Sequence, residues 1–324
     1  MTTMFPIRAL ICATFMSFAM STAWAQTYPA KPIRMIVGFA PGGGTDVTAR
    51  AVVQELSEGL RQRVVIENRP GANGVVGTEI AAKAPADGYT LLMVNSGHSV
   101  NPGLYPKLPY DSIRDFAPIS LVATLPNLLV LHPSLPAKTF PEFVQFARKR
   151  PGQINYGSGG QGASSHLSVE LLKRAARIDL VHVPYKSGGL SAAALLAGEV
   201  MVSFNTIPSA LPYVKAGRLR AVGVSSPKRS ASVPDVPTIA EMGYPGFSAS
   251  GYSGLLAPAG TPPDAITRVQ AEVARLLKLP AVVERFTALG LDSVGNTPAE
   301  FAQFIKADID VWTKLTRELN LTLQ

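Results

Sequence analysis

The chain has 324 residues, 47% hydrophobic and 16% charged, with a formal net charge of +8. That balance belongs to a globular protein of one large or two ordinary domains and excludes a disordered chain. The basic residues are spread along the sequence without a dense run or interleaved aromatics, which argues against nucleic acid, and the net charge reads either as a solubility surface or as a field that favours anionic ligands.

Arg8 precedes an apolar run from Ala9 to Ala19, and Ala23-Trp24-Ala25 places small residues before a cut. This is the pattern of a secretory signal peptide over residues 1–25, cleaved after Ala25. The apolar run is too short for a membrane span, and polar residues follow it. The only cysteine, Cys12, lies inside this segment, after Ile11 rather than the small residue a lipoprotein signal requires. The mature chain is thus expected to carry no disulfide, thiol nucleophile or thiolate metal site. Loss of Arg8 takes the charge from +8 to +7. Nothing later is apolar for long enough to cross a bilayer, so the mature protein is expected to be soluble and exported.

From Pro32 the pattern alternates between strand and helix. An apolar strand, Ile33–Val37, meets Phe39-Ala40-Pro41-Gly42-Gly43-Gly44-Thr45-Asp46, and helical spacing follows from Val47 to Leu56. A helix start presents unpaired N–H groups and the positive end of its dipole, which attract anions. Strands over 64–67 and 90–94 follow, the second ending in a polar stretch, 95–102, that reads as a loop. Such apolar strands separated by helices predict parallel sheets covered on both faces. Two extended runs, 119–122 and 128–131, are broken by Pro126 and read as a crossing out of the first domain. A second series has strands over 154–156, 180–183, 200–204 and 219–224 with helices between them. Residues 251–257 read as a crossing back, and the tail reads as three helices. The expected fold is α/β: two doubly wound domains joined by two extended crossings, with a ligand crevice at the strands' C-terminal ends.

Gly157-Ser158-Gly159-Gly160-Gln161-Gly162 fits the dinucleotide spacing G-x-G-x-x-G, but the next strand ends in Val183-Pro184 without the acid that would hold a ribose. The loop reads as amides and hydroxyls offered to an anion, or as a structural turn. The loop at Gly42–Gly44 lacks the Lys-Ser/Thr pair of a nucleotide P-loop. The four histidines, His98, His132, His166 and His182, have no ligand-spaced partners, so no metal or other cofactor is expected. Ser164 and Ser165 beside His166 do not form a nucleophile elbow, so no catalytic residue is expected. Asp46 reads as a helix cap or a ligand-orienting acceptor. His166 reads as a donor to ligand, a cap or a core hydrogen-bonding group. Phe39 and Asn205 each allow a cleft contact or a structural role, and Lys186 reads as a partner for a carboxylate or as a solvated lysine.

Together these segments resemble the Bug (TctC-like) family of periplasmic solute-binding proteins of tripartite tricarboxylate transport. The resemblance is carried by Tyr28-Pro29 with Pro32-Ile33, Phe39 to Gly43 with Asp46 and Ala49-Arg50, and Glu67 to Ala72. It continues through Ala84 to Leu91, Asp115 to Pro118, Gly162 to Leu167, Val183 to Lys186, Ala216 to Ala221 and Pro234 to Thr238. It implies a non-catalytic, monomeric binding protein of type II Venus flytrap architecture. Domain 1 is expected over 26–126 and 250–324, and domain 2 over 127–249. The implied ligand is a small carboxylate, and the implied partners are membrane transporter subunits or, alternatively, a membrane sensor kinase. The implied ligand contacts are Phe39, Gly43, Gly44, Thr45, Asp46, Ser96, His98, Ser158, Gly159, Ser164, His166 and Asn205. One departure stands out. Many relatives have Asp where this chain has Asn205, and losing that acid suits a plain carboxylate better than an amine-bearing ligand.

Overall fold

The computed structural model describes residues 28–42, 44–160, 163–185 and 188–322. The expected signal peptide therefore lies outside the described residues, as do Gly43, Gln161, Gly162, Lys186 and Ser187.

Three parallel strands, β1 (Ile33–Val37), β2 (Val64–Asn68) and β3 (Thr90–Asn95), form half of the first sheet. Helix α1 (Gly44–Leu60) joins β1 to β2, and a 3-10 turn (Ala72–Gly74) with α2 (Val75–Ala82) joins β2 to β3. β1 and β3 are buried along almost their whole length, as strands covered on both faces must be. The stretch after β3 is not the expected loop but helix α3 (Gly97–Leu104), with Val100 and Leu104 buried one turn apart. Pro102 hides this helix in the sequence, because proline removes one backbone donor from a helical turn. Here the Ser112 hydroxyl donates at 3.2 Å to the His98 carbonyl, the acceptor that Pro102 leaves without its usual partner.

β4 (Phe116–Leu125) and β5 (Asn127–Leu131), separated by Pro126, carry the chain into a second sheet. There α4 (Phe140–Arg148) leads to β6 (Asn155–Ser158), α5 (Ser164–Ala176), β7 (Val181–Pro184) and α6 (Gly188–Ala197). β8 (Val202–Thr206), α7 (Ile207–Lys215) and β9 (Arg220–Val224) complete this part. The chain returns through β10 (Gly251–Pro258) to α8 (Pro263–Leu276), α9 (Pro280–Ala288), the two-residue β11 (Asp292–Ser293) and α10 (Pro298–Glu318). The Thr297 hydroxyl accepts from Glu300 N–H and the Glu300 carboxylate accepts from Thr297 N–H, a reciprocal cap that fixes where α10 begins.

The sheet orders are β11-β4-β10-β3-β1-β2 and β7-β6-β8-β5-β9. Both are mixed rather than purely parallel. β10 runs against β3 and β4, and β5 runs against β8 and β9. The reason is the direction of travel. Strands that feed helices run toward the crossings, whereas β5 and β10 are the strands on which the chain leaves the crossings for each sheet.

The two crossings are stitched to each other. Asn127 N–H donates to Ser225 Oγ at 2.9 Å, Ser225 N–H donates to the Asn127 carbonyl at 2.9 Å, and Leu125 pairs with Gly251. A third element joins the halves. Trp312 and Leu315 of α10, with Leu321, share one apolar core with Tyr156, Leu167 and Leu172 of the second sheet's layer. Glu318 also pairs with Arg174 of α5. On the same helix, the Asp308 carboxylate accepts from Trp312 Nε1 at 2.9 Å, and burial pushes its pKa up to about 6.

Candidate functional site: the strand ends beside the crossings

Register shows where the loops after the parallel strands lie. Asn95, the last residue of β3, pairs with Ser253, two residues into β10. Thr206, the last residue of β8, pairs with Asn127, the first of β5. The C-terminal ends of both sheets' parallel strands therefore abut the same pair of crossings. Helices α1 and α3 start there from the first sheet, and α5, α6 and α7 from the second. Each start leaves first-turn N–H groups without helical acceptors, so positive potential converges on the crossings from both sides.

In the first sheet, asparagine side chains lock the loops. The Asn68 amide donates to the Phe39 carbonyl and to Asp46 Oδ1, each at 2.9 Å. The Asn95 amide donates to Thr45 Oγ1 at 3.1 Å. Gly42 N–H and Arg50 donate to the other Asp46 oxygen at 2.9 and 2.8 Å. Asp46 is buried, which pushes its carboxyl up. The hydrogen bonds from Arg50, Gly42 and Asn68 outweigh this and hold it below the ordinary aspartate range. Its oxygens are thus engaged by the loop backbone at Gly42, by Asn68 of β2 and by Arg50 of α1. Phe39 packs its ring against Gly74. A methyl group on Gly77 would lie 2.7 Å from Gly38 Cα, so only glycine lets α2 sit this close to the loop after β1. Gly44 is exposed at the start of α1, and Thr45 is buried beneath it. Ser96 caps the backbone of α3 from a position beside Gly251, where a methyl group would lie 3.9 Å from its hydroxyl.

His98 is placed differently from these residues. Its ring lies inside the first domain, with Nε2 at 2.9 Å from the Ser112 carbonyl and Phe116 edge-on at 5.3 Å. Burial lowers its pKa to about 4, so the imidazole is neutral and donates through Nε2. Its backbone, not its ring, belongs to the α3 start.

In the second sheet, Ser158 is fully buried at the end of β6, with its hydroxyl 2.6 Å from His182 Nε2. The pair has the separation of a nucleophile and its base, but Ser158 has no accessible surface and its oxygen already accepts from Gly160 N–H at 3.1 Å. Gly159 N–H donates to Ser165 Oγ at 3.0 Å. Ser164 is exposed as the first residue of α5. His166 is buried in the first turn, stacked on His182 at 4.1 Å, and burial with the neighbouring His182 lowers its pKa to about 4. Asn205, opposite Leu128 on β5, is buried, and its amide Nδ2 has no hydrogen-bond partner within the described protein. A buried unpaired donor costs roughly 1–3 kcal/mol, a cost an acceptor from a ligand would remove.

Residues that sequence reasoning did not single out are Asn68, Asn95 and, as partners that hold the loop after β6, Ser165 and His182. A signal existed for the first two. Asn68, Asn95 and Asn205 all sit at or next to the last position of a strand that feeds a helix. Among the described residues, no group of three or more His, Cys, Asp or Glu side chains is arranged to hold a metal. No described helix is long and apolar enough to cross a membrane.

The family model of the tripartite tricarboxylate transporter family receptor matches residues 48–321. BugT of Bordetella pertussis is 39% identical over 302 residues, 93% of each chain. An R. palustris protein solved with adipate superposes with a TM-score of 0.75 at 32% identity, covering 91% of this chain and all of that one. MatC of Rhodopseudomonas palustris, solved with bound malate, superposes at 0.70 with 33% identity, covering 89% of this chain and all of its own. The matched span, the identity and the shared two-domain architecture agree, and this chain belongs to the TctC/Bug family of periplasmic solute-binding proteins.

Proposed function

We propose that this chain is exported to the periplasm by residues 1–25, captures a small carboxylate between its domains and delivers it to a tripartite tricarboxylate-type membrane transporter. It does so as a monomer without chemistry on the ligand. Domain 1 comprises 26–126 and 250–324, and domain 2 comprises 127–249, with the last turns of α10 packed against domain 2. First-turn amides of α1 and α3 face one side of the ligand, and those of α5 and α7 face the other. Such helix starts bind carboxylates without a counter-cation. Closure follows because the anion gains partners from both sides only when the domains approach, which gives it higher affinity for that state.

The observation that carries this reading is the Asn205 amide, a buried donor without an acceptor where the helix starts converge. A carboxylate oxygen supplies that acceptor. The adipate and malate held by the two solved relatives point to the same ligand class.

A thermal-shift panel of malate, succinate, adipate, citrate, benzoate, terephthalate and nicotinate tests the proposal. A ligand at 100 times its dissociation constant stabilises the folded protein by about 2.7 kcal/mol, which moves the melting temperature by several degrees. The expected result is such a shift with at least one carboxylate. No shift with any of them, together with a shift from a neutral sugar or a cation, would overturn the reading.

A further inference from the structure

The loop after β6 is held from behind. Register pairs Tyr156 with His182 and Ser158 with Pro184. Residues two apart on a strand share a face, so Tyr156, Ser158 and His182 stand on the same side of the sheet. The His182 ring stacks on Tyr156 at 4.9 Å and on His166 at 4.1 Å. Tyr156 donates its hydroxyl to Glu170 at 2.6 Å, and Glu170 pairs with Lys173 at 2.9 Å. His182 is thus clamped in one orientation, with Nε2 aimed at Ser158.

The contact lengths favour one wiring. Ser158 Oγ accepts from Gly160 N–H at 3.1 Å. Its single proton has two possible acceptors, His182 Nε2 at 2.6 Å and the Gly160 carbonyl at 3.1 Å. At 2.6 Å the histidine contact is shorter than an N–H···O bond ordinarily is and fits donation by the hydroxyl. Burial lowers the pKa of His182, which favours the neutral ring, and on this wiring Nε2 accepts while the hydrogen sits on Nδ1. With Gly159 N–H committed to Ser165, both described glycine amides of this loop are engaged internally.

We propose that His182 is the positioning residue of the second domain's anion loop: by accepting the Ser158 proton it locks residues 158–160 and so sets where the first turn of α5 presents its N–H groups. Ser158 and Gly159 then shape the site, and α5 touches the ligand. This rests on the reading that the loop faces a carboxylate.

The test has one arm without ligand and one with it. In ¹⁵N-labelled, ligand-free protein at pH 7, long-range proton–nitrogen spectra should show His182 as the Nδ1–H tautomer. His182→Ala and Ser158→Ala should each speed exchange of the Gly160 amide by about five- to tenfold, the effect of one lost hydrogen bond. The double variant should be no faster than either single one, and His182→Gln, which keeps an acceptor at similar reach, should recover most of the protection. An Nε2–H tautomer, or unchanged Gly160 exchange in His182→Ala, overturns the proposal. In the second arm, calorimetry with L-malate and adipate should show affinity weakened about five- to tenfold in His182→Ala and recovered in His182→Gln. Faster loop exchange with unchanged affinity also overturns it. If neither probe binds the native protein, the carboxylate reading fails for those probes, and the ligand-free arm still decides the wiring.

Discussion

Asp46 accepts a hydrogen bond from the Asn68 side chain at 2.9 Å, tying the first turn of α1 to the last residue of β2. Removing the carboxylate takes the shared acceptor from three donors at once: Asn68, the Gly42 N–H and Arg50. Asp46→Ala should therefore cost about 2–3 kcal/mol, above the effect of a typical surface change. Asn68→Ala should cost about 1–2 kcal/mol, and the double variant less than the two together, because they share one bond. Urea denaturation of the four proteins measures the coupling, and strict additivity would contradict the tie.

Asp308 should make the protein more stable in mild acid. Its pKa is about 6 in the folded chain, above its ordinary value of about 3.8. The folded state therefore takes up the proton first. The stabilising contribution is complete below about pH 4 and is lost as pH rises through 6. Asp308→Asn keeps an oxygen for Trp312 and removes the buried charge. It should raise stability at pH 7.5 by about 2 kcal/mol and give only a small fraction of that gain at pH 4. Denaturation midpoints at the two pH values test the sign.

Gly290 has a φ of +66°, and a methyl group there would lie 2.4 Å from Pro208 Cδ, at the start of α7. Gly290→Ala meets both a disfavoured backbone region and a ring contact between the two halves of the molecule. It should cost about 1–3 kcal/mol and displace the α9–β11 turn from α7. Denaturation gives the first quantity, and small-angle scattering would register the second as an enlarged radius of gyration.

Asn205→Asp replaces the unpartnered donor with a second acceptor and a charge. Binding of a plain dicarboxylate such as malate or adipate should weaken at least about tenfold, because two like charges would be buried together. Acidic amino acids, which bring an ammonium group, should gain relative to the dicarboxylates. Calorimetry with malate and aspartate on both proteins checks this, and an unchanged preference would remove Asn205 from the site.

Much of the scaffold was legible because it rests on local patterns. Ile33–Val37 is an apolar run that ends in glycines and a helical spacing, and no distant contact is needed to recognise it. Helix α3 was hidden because Pro102 and a run of polar residues mask two buried apolar positions, and the compensating Ser112 hydroxyl lies outside the window. The direction of β10 was illegible for another reason. Its partners β3 and β4 lie more than a hundred residues away, and an apolar strand reads the same whichever way it pairs. The site divides likewise. Helix starts and glycine loops announce themselves, whereas Asn68 reaching Asp46 and His182 reaching Ser158 depend on register between strands. The histidine appeared isolated only because its partners lie on a neighbouring strand and a covering helix.

The C-terminal helix changes what kind of joint this is. Two peptide crossings stitched side by side would let one half swing on the other like a door on a strap. Trp312 and Leu315 instead root α10 in the core of the second half while Phe301 and Ile305 root it in the first. Any swing must then bend or slide this helix, so the joint has a restoring force and a limited arc. A ligand that closes such a joint works against a spring, and its release begins with that spring already loaded.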